Sequence, residues 1–100
     1  MTVSDDLKSK IQAAPKKPGI YQYYDTHGKL LYVGKAKNIK NRVQSYFNKS
    51  KDHSKKTKAL VKNIESFDYI ITQTESEAFL LEASLIKKHK PKYNVRLKDD

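Results

Sequence analysis

The chain has 100 residues, enough for one small domain with a single modest core. It has no cysteine, which excludes disulfides and thiolate metal sites, and no apolar run approaches the roughly 20 residues of a membrane span. Lysine and arginine number 21 against 11 aspartates and glutamates, a formal charge of +10 at pH 7, which favours a polyanionic partner such as nucleic acid over a membrane surface.

In chain order, residues 4–12 are expected to form a short helix. Ser4 can cap it, Asp5 and Asp6 suit its first turn, and Leu7 and Ile11 lie one turn apart. Pro15 and Pro18 stop it. The stretch GIYQYY, residues 19–24, reads as a strand, DTHG as a turn and KLLYVG, residues 29–34, as the return strand of a hairpin that ends at Gly34. A helix is expected from about Asn38, with Ile39, Val43, Tyr46 and Phe47 at helical spacing. The polar, basic residues 48–56 read as a loop, and Thr57, Leu60, Val61 and Ile64 mark another short helix.

Residues 66–74 carry the aromatic and β-branched content of a third strand. The longest helix follows, opened by the capping box Thr74–Glu77 and closed by Pro91, with Lys87, Lys88 and Lys90 suited to its C-terminal dipole. The tail, residues 92–100, is too short to assign. The order α-β-β-α-α-β-α gives an α/β (α+β) fold, a small sandwich on a mixed or antiparallel sheet, in one domain spanning 1–100.

Several residues invite a chemical reading. Ala78, Phe79, Leu81, Leu85 and Ile86 form one apolar arc of the last helix, and Glu82 projects from within it. A carboxylate there is expected to be buried or half-buried, at a cost unless a cation meets it. It can pair with a lysine or arginine, or hold a divalent ion together with water and phosphate oxygens. Arg42, at the margin of the apolar face of its helix, can clamp a phosphate or lie over the core as a surface side chain. Tyr21 and Tyr32 can be ordinary core tyrosines, or lose a proton near a cation and act as a general base. Lys35 can bind phosphate, depress a tyrosine or remain solvated. Gly19 and Gly34 permit close backbone approach or end strands. Tyr23, Tyr24, Tyr46, Tyr69 and Tyr93 read as core residues only. His27, His53 and His89 form no metal spacing.

Gly19-Ile20-Tyr21 and Tyr32-Val33-Gly34 resemble the paired tripeptides of the GIY-YIG nuclease superfamily, with valine in place of the second isoleucine. YVGKAKNIKNRVQSYF and LLEASLIKKHKPKYNVRLKDD make the chain most similar to the UvrC-type N-terminal endonuclease domains of that superfamily, over about residues 15–100. The resemblance implies a three-stranded antiparallel sheet flanked by helices. It implies phosphodiester hydrolysis on the 3′ side of a lesion in damaged double-stranded DNA, during bacterial nucleotide excision repair, with one Mg²⁺ or Mn²⁺ ion. It assigns the metal to Glu82 and stabilisation of the pentacovalent phosphate to Arg42. Tyr21 and Tyr32 would flank the reaction centre, one of them helping to deprotonate the attacking water. Lys35 would assist that tyrosine, and Asn94 would complete the hydrogen bonding of the site. It further implies a fragment of a longer cytoplasmic protein that meets UvrB through regions outside this chain, with no membrane partner. Two other readings remain open: a stand-alone nuclease of the same superfamily acting on branched DNA, and a basic nucleic-acid-binding module without chemistry.

Overall fold

The computed structural model describes residues 5–48 and 53–97. The elements are α1 (Asp5–Gln12), β1 (Gly19–Tyr24), β2 (Leu30–Ala36), α2 (Ile39–Tyr46), α3 (Lys55–Asn63), β3 (Ser66–Ile71), α4 (Glu75–His89) and α5 (Lys92–Leu97). The three strands form one antiparallel sheet in the order β2-β1-β3, so β1 is central and β2 and β3 are edges. The expected cap at Ser4 lies outside the described residues, as do 49–52 of the expected loop and 98–100 of the tail.

Capping side chains set the helix starts, and of these the cap at Thr74 was expected from the sequence. The Asn38 side chain accepts a hydrogen bond from the Asn41 N–H, Ser54 from Thr57 and Thr74 from Glu77. Glu77 reaches back to the Gln73 N–H, one residue earlier than the reciprocal bond of an ordinary capping box. In the turn, the Asp25 carboxylate accepts from the N–H groups of His27 and Lys29, and Gly28 takes φ +77°.

Several expectations on element bounds need correction. Strand β2 does not end at Gly34 but runs on to Ala36, because Lys35 and Ala36 still pair with Ile20 and Gly19. Lys55 and Lys56 belong to α3 rather than to the loop, since Ser54 caps the helix just ahead of them. Strand β3 stops at Ile71, where its partner strand begins at Gly19. The tail contains a further helix, α5, too short to show a period in the sequence.

Each face of the sheet carries its own core. On one face Tyr21 and Tyr23 of β1 meet Phe67 of β3, Val43 and Tyr46 of α2, Leu60 of α3, and Leu7 and Ile11 of α1. On the other, Ile20 and Val33 pack under Ala78 of α4, with Leu81, Leu85 and Ile86 partly covered around them. Phe79, expected in that apolar arc, is 54% exposed: its bearing turns it past the sheet.

Candidate active site

The site lies where the two faces meet, along the free edge of β2. Tyr21 stands opposite Gly34 in the hairpin register. Its phenol ring crosses directly over that glycine, and a Cβ at Gly34 would collide with the ring carbons and hydroxyl. Gly34 is therefore a close-approach glycine, the alternative to a strand ending. Gly19 is another: a Cβ there would overlap the Ile70 carbonyl oxygen.

The Tyr21 hydroxyl shares a 2.9 Å hydrogen bond with the Tyr46 hydroxyl, and the Arg42 Nε donates a longer one, 3.4 Å, to Tyr21. The Arg42 guanidinium also lies over the Tyr46 ring, 5.4 Å from its centroid. Tyr32 sits beside this group, its ring 6.2 Å from Tyr21 and 6.3 Å from Tyr46. Tyr21, Tyr32, Arg42 and Tyr46 thus form one cluster of phenols around a cation. Tyr46 was read as core alone. Its place four residues after Arg42, one helical turn on, was the available signal.

Burial governs the titration of these phenols. Tyr21 is pushed well above the usual tyrosine value, first by burial and then by Tyr46 and its other tyrosine neighbours. Burial also raises Tyr32, with Tyr46 adding to the effect, Arg42 opposing it and Glu82 reinforcing it. Tyr32 therefore stands within electrostatic reach of both Arg42 and Glu82. Arg42 is held still more firmly in its protonated form, mainly by Tyr21.

Glu82 comes from the other face, on the third turn of α4, and is half-buried as expected. Burial raises its pKa; the Lys35 ammonium and the nearby Lys35 main-chain N–H pull it back. Lys35 thus lies within electrostatic reach of the carboxylate. By strand alternation it shares the side of Ile20 and Val33, away from the tyrosine cluster.

Asn94, on α5, is buried and spans Val33. It accepts from the Val33 N–H at 2.8 Å and donates to the Val33 carbonyl at 2.9 Å. These are main-chain groups of an edge strand, left unpaired by the sheet. Asn94 substitutes for a missing strand and fixes the backbone between Tyr32 and Gly34.

The donor set suits a divalent ion. Glu82 is a half-buried carboxylate whose pKa burial raises, and among the described residues no group of three or more histidines, cysteines or acids could form a protein cage. An ion here would take one oxygen from the protein and leave its other positions to water and phosphate. His27 and His89 are exposed and take no part. Beside the site, but not coincident with it, a cleft of about 510 Å³ opens between the end of β2 and the first turns of α2 and α4. It shares Lys35 and Arg42 with the groups above.

The model of the UvrC-like GIY-YIG domain family matches residues 17–95. The UvrABC system protein C of Bdellovibrio bacteriovorus is 58% identical over 96 residues, covering 96% of this chain and 15% of that protein. Its counterpart in Clostridium botulinum is 57% identical over 95 residues, 95% of this chain and again 15% of the relative. The chain thus spans about a seventh of the length of these relatives. Among solved structures, the magnesium-bound GIY-YIG N-terminal endonuclease domain of Thermotoga maritima UvrC superposes with a TM-score of 0.80 at 38% identity. That match covers 92% of this chain and 99% of the other. A tyrosine-to-phenylalanine point mutant of the same domain, bound to its catalytic divalent cation, gives 0.81 at 37% identity over 92% and 98%.

Proposed function

This chain belongs to the UvrC-like GIY-YIG domain family, and from that premise we propose that it is a divalent-metal-dependent endonuclease domain that hydrolyses a DNA phosphodiester on the 3′ side of a lesion during nucleotide excision repair. The observation that carries the reading is the convergence at one sheet edge of a half-buried carboxylate, Glu82, with the phenol–guanidinium cluster of Tyr21, Tyr32, Arg42 and Tyr46. Neither half suffices for phosphodiester hydrolysis. Together they offer a place for one cation, a second positive charge and a proton acceptor.

Glu82 would hold a single ion, Mg²⁺ or Mn²⁺, on the protein side. When bound, that ion supplies Lewis-acid stabilisation of a phosphate oxygen and acidifies nearby water. Arg42 presents a permanent positive charge to the phosphate as negative charge builds on its oxygens. Its position is fixed by the Tyr21 hydroxyl and the Tyr46 ring. Tyr21 is committed to Tyr46 and Arg42, so its part is to orient the guanidinium.

Tyr32 is within electrostatic reach of both Arg42 and Glu82 and is the less enclosed of the two hairpin tyrosines, so it is the phenol that, after releasing its own proton to solvent, would take one from the attacking water. Burial and Glu82 raise its pKa and Arg42 opposes them; a cation held at Glu82 would further favour the phenolate. Lys35 holds Glu82 ionised. Asn94 keeps the Tyr32–Gly34 backbone in register. The substrate is damaged duplex DNA, cut in cooperation with UvrB.

Mn²⁺ titration of this chain, followed by electron paramagnetic resonance, tests the reading. One ion per chain is expected, lost in Glu82→Gln with the fold retained. Undiminished Mn²⁺ binding by Glu82→Gln would move the metal elsewhere and overturn the assignment.

A further inference from the structure

The cleft beside the cluster shares Lys35 and Arg42 with the chemistry just described, and the rest of its lining has no part in it. It is lined at its mouth by Lys35, Lys37 and Arg42, three cations, against one carboxylate, Glu75, from the first turn of α4. Ala36 and Ala78 contribute only methyl groups to it, which leaves depth where larger side chains would fill it. Asn41 and Ser45 complete the α2 wall; the Ser45 hydroxyl is already engaged, donating to the Arg42 carbonyl at 2.6 Å.

The N-terminus of α2 opens on the same cleft, but its first N–H groups are taken. Ile39 donates to the Lys17 carbonyl, Lys40 to the Pro15 carbonyl and Asn41 to the Asn38 side chain. A compact anion held by backbone N–H groups, as at a phosphate-binding helix start, has no donors to use. The available donors are long side chains spaced along the opening, which suits a chain of phosphates passing through rather than one ion held at its end.

Continuity with the candidate active site sets the direction of the argument. Lys35 and Arg42 line the cleft and also act on Glu82 and Tyr21. A strand whose reacting phosphate meets Arg42 must leave past them, and the cleft is where its next phosphate arrives.

We infer that this cleft is the groove for the DNA strand flanking the reacting phosphate, with Lys37 pairing one adjacent phosphodiester, Asn41 donating to it, and Glu75 opposing it so that only a strand seated in register is held. The inference rests on the nuclease reading above.

The test is anisotropy of a fluorescent duplex titrated with this chain over a series of salt concentrations, without divalent ions. Lys37→Gln is expected to lower the slope of log affinity against log salt by about 1. Asn41→Ala weakens binding about fivefold at every salt concentration, leaving the slope unchanged. Glu75→Gln tightens binding. Lys29→Gln is the reference: it sits at the turn end of β2, about 20 Å from the cleft by strand rise, and leaves the slope within error. Equal slopes for Lys37→Gln and Lys29→Gln would mean that charge is felt diffusely, and the groove would be refuted. The Mn²⁺ titration separates the two readings. A metal at Glu82 with no Lys37 effect overturns the groove alone. A Lys37 effect with no metal at Glu82 overturns the nuclease and leaves a binding groove.

Discussion

The two faces of the sheet are built from different chemistry. One is aromatic, with Tyr21, Tyr23, Tyr46 and Phe67 buried together and hydroxyls threaded through the core. The other is aliphatic, with Ile20, Val33 and Ala78 beneath a helix that leaves Phe79 and Leu80 in solvent. The aromatic face must place each hydroxyl against a partner or bear the cost of burying it bare. The aliphatic face has no such demand and can tolerate one carboxylate at its rim. The chemistry belongs to neither face alone. In the proposed reading it sits at the β2 edge, where phenols arrive from one side and Glu82 from the other.

The largest effect is expected from the strut that holds that edge. Asn94→Ala would leave the buried N–H and carbonyl of Val33 unpaired, a loss of about 3 kcal/mol. Faster hydrogen exchange at Val33 than at Val43 would show that the loss is local to the edge; equal acceleration at both would mean that Asn94 supports the whole fold.

Gly34→Ala comes next. The added methyl meets the Tyr21 ring, and the strain is expected to cost about 2 kcal/mol and to swing the hydroxyl away from Arg42. A crystal structure of the variant with Tyr21 unmoved would show that the close approach is dispensable.

The two buried tyrosines of β1 then give opposite signs. Tyr21→Phe removes the bond to Tyr46 and costs about 1 kcal/mol. The Tyr23 hydroxyl is buried without a hydrogen-bond partner among the described residues, so Tyr23→Phe is expected to gain about 1 kcal/mol. Denaturant midpoints of the pair moving in the same direction would contradict the hydrogen-bond pattern described for that face.

Glu82→Gln is the smallest in stability. The raised pKa means that the native state binds a proton more tightly than the unfolded chain does. That contribution is complete below the usual carboxylate value and is lost as pH rises through the raised one. At neutral pH the ionised side chain is therefore a mild burden, and Glu82→Gln should gain less than about 1 kcal/mol, since solvent screens a half-exposed group. The melting temperature of the wild-type chain should fall as pH rises from 4 to 7 by more than that of the variant, a difference set by the window above about 4.5. Identical pH profiles would show that Glu82 is not strained.

Local chemistry made much of the fold legible. Thr74 announced its helix because a cap acts on N–H groups two or three residues away, whereas Ser54 was hidden in a basic polar run. The hairpin was visible in the Asp25–Gly28 turn and its flanking strands. Glu82 stood out because helical phase alone puts it beside Ala78 and Leu85. Other features had no local signature. Phe79 lies at the margin of the apolar arc by angle, and only the packing of α4 on the sheet turned it to solvent. The reach of Lys35 to Glu82 joins residues far apart in the chain, and α5 is too short to have a period.

By itself the sequence determined every element but α5, their order, the basic charge and the residues that resemble a nuclease. These follow from short-range hydrogen bonding, periodicity and composition, each confined to a few neighbouring residues. Only the tertiary structure decided that β1 is central, that Tyr21 lies across Gly34, that Tyr46 joins the phenol cluster and that Asn94 completes an edge. Those arrangements depend on strand order and on which helix covers which face, and both are set by burying two cores at once on a single three-stranded sheet.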